Sequence, residues 1–190
     1  MFQKPLTLAQ ALKAARDTRH LEISAGAIHA VPRVFRDQFG NRPAIVVADA
    51  ITFATAARQV HRALLDARQA CLSSFVFGDP SLYAEHQYVE ELQSSLRKHE
   101  AIPVAVGAGT INDVVKLAAH RAGRPYLCVA TAASMDGYTA FGASITYQGS
   151  KQTFNCPAQP PVLKGKRLLC TCHLRLCSAG SRSRLRPALP

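Results

Sequence analysis

Three short apolar runs limit what this chain can fold into. Residues 44–48 (Ala-Ile-Val-Val-Ala), 102–106 (Ile-Pro-Val-Ala-Val) and 126–130 (Tyr-Leu-Cys-Val-Ala) each hold five residues without a charge. No charged residue alternates with the apolar ones, so neither face of such a strand is suited to water. That pattern belongs to strands covered on both sides, the condition of a parallel sheet with helices on each face.

The intervening segments change period. Residues 54–67, 83–98 and 111–122 read as helices, and so do 8–16, behind a possible N-cap at Thr7. Residues 28–38 read as a helix with Pro32 in its early turn, where a missing N–H costs nothing. Gly123 is placed to stop the 111–122 helix, with Pro125 beyond it. Residues 73–77 form a further strand closed by Gly78-Asp79-Pro80, and 21–23 and 143–147 are shorter strand candidates. Strand and helix alternating through short links predict an α/β domain with a parallel sheet.

The chain has 190 residues, enough for one domain with a buried core. Its net charge of +11 comes from 23 Lys/Arg against 12 Asp/Glu. All the acids lie between Asp17 and Asp136, whereas residues 162–190 carry seven Lys/Arg and no acid. Residues 1–161 alone have a net charge of +4, that of an ordinary soluble domain. Composition therefore divides the chain into an α/β body, 1–161, and a basic tail, 162–190. Nucleic-acid binding is the weakest reading, because the tail has no aromatics for base stacking. No apolar stretch approaches the roughly 18 residues of a membrane span, and the N-terminus has no signal-peptide pattern. A cytoplasmic protein with reduced cysteines is the expectation.

Three constellations could carry chemistry. Gly107-Ala108-Gly109-Thr110-Ile111-Asn112-Asp113 leaves a buried strand and opens a helix. Glycines permit close approach of a ligand, and the free N–H groups of a first helical turn attract an anion such as a pyrophosphate. Asn112 stands where the dinucleotide fingerprint has its third glycine, so a tight strand-to-helix turn is the competing reading. Asp49, at the end of the 44–48 strand, could accept hydrogen bonds from a ribose diol, or could cap the next helix. Thr131-Ala132-Ala133-Ser134-Met135-Asp136-Gly137-Tyr138-Thr139 offers small residues, hydroxyls and a carboxylate at a strand's carboxyl end, where ligands of open α/β sheets sit. The competing reading of Asp136 is a satisfied turn carboxylate. Cys170, Cys172, His173 and Cys177 fit no common zinc spacing.

The stretches 106–113 (Val-Gly-Ala-Gly-Thr-Ile-Asn-Asp) and 131–139 (Thr-Ala-Ala-Ser-Met-Asp-Gly-Tyr-Thr), with Val47-Ala48-Asp49 upstream, resemble the bacterial branch of the sn-glycerol-1-phosphate dehydrogenase family. That family lies within the iron-containing alcohol dehydrogenase and dehydroquinate synthase-like superfamily. The resemblance extends to about Pro161. It implies a Rossmann-like sheet that binds NAD(P), followed by a helical domain that binds a divalent metal, Zn²⁺ or Ni²⁺. It implies that Asp49 sits near the adenine-side ribose, and that Gly107 and Gly109, Thr110, Ile111, Asn112 and Asp113 hold the pyrophosphate. Thr131, Ala132, Ala133 and Ser134 would line the nicotinamide end, and Asp136 would contact a small phosphorylated polyol. The family shows a small hydroxyl residue four positions after that aspartate; Ala140 stands here. The tail matches nothing in the family's metal domain, and its Arg/Ser/Leu/Cys/Pro mixture resembles out-of-frame translation. The expectation is a truncated dehydrogenase of impaired activity, with a nucleotide-binding module or another polyol dehydrogenase as the alternatives. A homo-oligomer is compatible with all of these.

Overall fold

The computed structural model describes residues 20–24, 26–132, 137–156 and 162–165. The predicted 8–16 helix, Ala133, Ser134, Asp136 and the Cys170–Cys177 group lie outside them.

In chain order the elements are β1 (Leu21–Ser24), a 3-10 turn (Ala27–Ala30), α1 (Val31–Phe39), β2 (Ala44–Asp49) and a short α2 (Ala50–Thr52). A π-helical turn (Phe53–Ala57) then leads into α3 (Arg58–Asp66), β3 (Cys71–Phe77) and α4 (His86–Leu96). Next come β4 (Ile102–Gly107), α5 (Gly109–Arg121), β5 (Leu127–Ala130), a 3-10 turn (Gly137–Thr139), β6 (Ala143–Tyr147), β7 (Ser150–Phe154) and β8 (Val162–Gly165). Six strands form one parallel sheet in the order β1-β8-β5-β4-β2-β3, while β6 and β7 form a separate antiparallel hairpin.

Each central strand buries both faces. Ala44, Val46 and Ala48 of β2 pack with Val34 and Phe35 of α1 and Val60 and Leu64 of α3. Ile45 and Val47 pack on the opposite side with Leu92 of α4 and Val114 and Ala118 of α5. This two-sided demand is why residues 44–48 carry no polar alternation. Pro103 is tolerated inside β4 because it pairs only towards β2, opposite Ile45. Pairing with β5 begins one residue later, at Val104. Pro32 falls in the first turn of α1, as its missing N–H requires. Gly123 adopts a φ of 67°, and the bonds Gly123 N to His120 O and Arg124 N to Ala119 O close α5 with a left-handed cap.

Two features of the sheet lie outside the sequence expectation. The sheet extends past the composition break at Pro161, because Val162–Gly165 pairs in parallel with both β5 and β1. The register between β2 and β3 also slips. Ile45 faces Leu72 while Val47 faces Phe75, so edge strand β3 carries one extra residue as a bulge.

Candidate functional site

The order of the strands locates a crevice. From β2 the chain passes outward to β3, then crosses back to β4 on the other flank of β2 and continues to β5. The direction reverses between β2 and β4, and ligands of open α/β sheets bind outside the carboxyl ends at that point. Asp49 ends β2 and Gly107 ends β4.

Asp49 is the N-cap of α2. Thr52 N donates to Asp49 Oδ1 at 2.7 Å, and Asp49 N donates to Thr52 Oγ1 at 3.1 Å, a reciprocal capping box. Capping therefore occupies Oδ1. The residue is half-buried, and Ile51 beside it is 70% exposed.

At Gly107 the requirement for glycine is steric. A Cβ there would lie 2.6 Å from Ile111 Cβ and 2.7 Å from Ile111 Cγ1. The first turn of α5 thus sits against the strand end with no room for a side chain. Ala108 is the N-cap and supplies no side-chain cap bond. The first-turn N–H groups of Gly109, Thr110 and Ile111 have no capping side chain, whereas Asn112 N already bonds Ala108 O at 3.0 Å. An unfilled first turn at the positive end of a helix is a ready seat for a phosphate.

Asn112 and Asp113 face inward. Asn112 is 1% exposed, and its Oδ1 accepts from Tyr126 OH at 3.3 Å. Asp113 Oδ1 accepts from Asn112 Nδ2 at 3.4 Å, and its Oδ2 accepts from Ser144 N at 3.3 Å. Burial raises the Asp113 pKa above the ordinary carboxylate value, against the opposing pull of Lys116. These two side chains tie α5 to the residue before β5 and to β6. Of the 109–113 run, only the backbone N–H groups of the first three residues are thus left open at the start of α5.

Thr131 follows β5, is 6% exposed, and donates its N–H to Gly107 O at 3.0 Å. The Ala132 carbonyl accepts from Tyr138 OH at 3.0 Å, and burial pushes the Tyr138 phenol up to about 12. The glycine turn and the start of the 131–142 segment therefore adjoin.

Lys116 and Tyr126 are the participants that sequence reasoning missed, whereas Tyr138 stood within the 131–139 stretch without a role of its own. The signal for Lys116 was a single charge inside the apolar run Val114-Val115-Lys116-Leu117-Ala118-Ala119. Among the described residues no group of three or more His, Cys, Asp or Glu could hold a metal ion. A groove of about 570 Å³ runs between α1 and the end of α3, lined by His29, Arg33, Arg36, Asp37 and Asp66 among others. None of the candidate site residues lines it, and its arginines are engaged locally, Arg33 with Asp37 and Glu22, and Arg36 with Ala67 O. No helix among the described residues is long and apolar enough to cross a membrane.

Comparison with known proteins agrees with this layout. The profile of a family described as iron-containing alcohol dehydrogenase matches residues 22–163. The glycerol-1-phosphate dehydrogenase, NAD(P)+, of Halalkalibacterium halodurans is 32% identical over 141 residues, covering 73% of this chain and 35% of that protein. A glycerol dehydrogenase structure from Schizosaccharomyces pombe superposes with a TM-score of 0.66 at 18% identity, over 82% of this chain and 39% of that one. A sulfoacetaldehyde reductase from Bifidobacterium kashiwanohense, solved with NAD+, gives 0.64 at 17% identity over 81% and 46%. The chain thus spans about a third of the length of the first of these relatives.

Proposed function

The chain belongs to the iron-containing alcohol dehydrogenase family, and we propose that it is the dinucleotide-binding part of an NAD(P)-dependent glycerol-1-phosphate dehydrogenase. The observation that carries this reading is the uncapped first turn of α5, set behind a glycine that only a hydrogen side chain fits, at the point where the strand order reverses. The names of the curated relatives support glycerol 1-phosphate as the substrate, which in this reading is the sn isomer interconverted with dihydroxyacetone phosphate.

In this reading Gly109, Thr110 and Ile111 N–H groups receive the pyrophosphate. Asp49 accepts the adenine-side ribose hydroxyls through the carboxylate oxygen that does not cap α2, and its charge disfavours a 2′-phosphate, which favours NAD over NADP. Exposed Ile51 offers apolar surface to the adenine. Thr131 to Ser134 flank the nicotinamide, which when bound supplies or accepts the hydride. Asp136 contacts the polyol. The described residues present no donor set for the family's divalent metal, so no step here passes through one.

Titration of the 190-residue chain with NADH, followed by addition of dihydroxyacetone phosphate, tests the reading. Saturable NADH binding with oxidation on adding the ketone supports the dehydrogenase. Binding without turnover leaves a nucleotide-binding module of impaired activity, and no binding refutes the site.

A further inference from the structure

Lys116 lies on α5 about two turns beyond its open N-terminus. Its side chain is 1% exposed, in a run of buried apolar residues (Val114, Val115, Leu117 and Ala118), where an apolar residue would avoid the cost of a buried charge. The ammonium is held by specific acceptors. Nζ donates to Ala140 O at 3.0 Å and to Gly142 O at 3.1 Å, and it stands 3.9 Å from Asp113 Oδ1.

The backbone it grips has little freedom. Gly142 has a φ of 85°, its N–H donates to Cys156 O at 2.7 Å, and a Cβ there would lie 2.9 Å from Thr153 Cγ2. Two residues on, Ser144 N is bound by Asp113, which is itself paired with Lys116. At the other end of the segment Thr131 N is bound to Gly107 O, immediately before α5. One rigid helix therefore begins at the proposed phosphate seat and, through Lys116, fixes the outgoing end of the 131–142 segment.

We propose that Lys116 is a positioning residue, which sets residues 138–145 relative to the first turn of α5. The part concerning affinity for the ketone rests on the function proposed above. A lysine suits this role because its long stem can be buried while a compact ammonium satisfies two carbonyls and a carboxylate at once.

The test combines hydrogen–deuterium exchange with binding. In Lys116→Met, amides of residues 138–145 should exchange at least tenfold faster than in the wild type, while those of β2 and β4 change less than twofold. NADH affinity should stay within threefold, and affinity for dihydroxyacetone phosphate at saturating NADH should fall at least tenfold. In Lys116→Ala, n-propylammonium should restore protection of 138–145, and sodium at equal ionic strength should not. Unchanged exchange in 138–145, equal loss across β2 and β4, unchanged ketone affinity, or rescue by sodium would each overturn the proposal. A wild-type chain that fails to bind NADH sinks the proposed function instead, and the exchange pattern and amine rescue still decide whether Lys116 holds the segment.

Discussion

Asp49 and Gly107 end neighbouring parallel strands, each two residues beyond the last paired position, Val47 with Ala105. The two residues end their strands differently. Asp49 caps the helix that follows it, whereas Gly107 leads into a helix whose first turn has no capping side chain. One helix start is closed by its own side chain and its neighbour is left open to an anion.

Replacing Gly107 with Ala should move the start of α5, because the new methyl overlaps Ile111 by more than side-chain adjustment can absorb. Stability should fall by about 1–3 kcal/mol, as for other overpacked sites. NADH affinity should drop at least tenfold. Urea unfolding and a fluorescence titration check the two effects separately.

The two roles of Asp49 separate by substitution. Asp49→Asn keeps an oxygen to accept from Thr52 N, so stability should hold within a few tenths of a kcal/mol, as between good N-caps. The lost charge should shift preference from NADH towards NADPH. Asp49→Ala should lose about 1 kcal/mol of stability in addition. Equal NADH and NADPH affinities in the wild type, unchanged in Asp49→Asn, would leave the residue as a cap alone.

Asp113 sets a pH dependence with a definite sign. Its folded pKa is raised above 3.8, chiefly by burial. A carboxyl with a raised folded pKa contributes stability that is present below its unfolded value and lost as pH rises through the folded one. Asp113→Asn removes that loss. The melting temperature of the variant minus that of the wild type should therefore become more positive as pH rises from about 4. A difference that is flat or falls with pH would contradict this.

Tyr126→Phe removes the hydroxyl that donates to Asn112 Oδ1 in the buried network behind the glycine turn. Stability should fall by about 1–2 kcal/mol, because the amide oxygen is left without this donor. NADH affinity should change little, since the variant leaves the first-turn N–H groups in place. Denaturant midpoints and the same titration decide it.

The sequence made the sheet's centre legible because burial on both faces leaves no place for polar alternation, as at residues 44–48 and 102–106. It was less informative where local chemistry rather than burial sets the outcome. The helix after β2 begins at Ala50 instead of 54, at the cap that was one of the two readings of Asp49; its Thr52 half was not read. Strand β7, Ser-Lys-Gln-Thr-Phe, is mostly exposed and has no apolar signature. Its hairpin turn, with Gln148 and Gly149 both at positive φ, was the available clue. Val162–Gly165 joins the sheet in spite of a basic composition, since backbone pairing on both sides does not depend on charge balance. At the site, the Gly107 turn was readable from glycine spacing. The inward direction of Asn112 and Asp113 was not, because it depends on Tyr126 and Ser144, residues brought near only by folding.

The bulge in β3 has a consequence for how copies of this chain meet. That strand forms one margin of the sheet and is seven residues long, with neither a charge nor a proline to discourage another strand from docking. Its extra residue throws the outward-facing amides and carbonyls out of step, so an incoming strand would find a broken ladder. The irregularity acts as a selvedge that keeps the sheet from being woven into that of a neighbouring molecule.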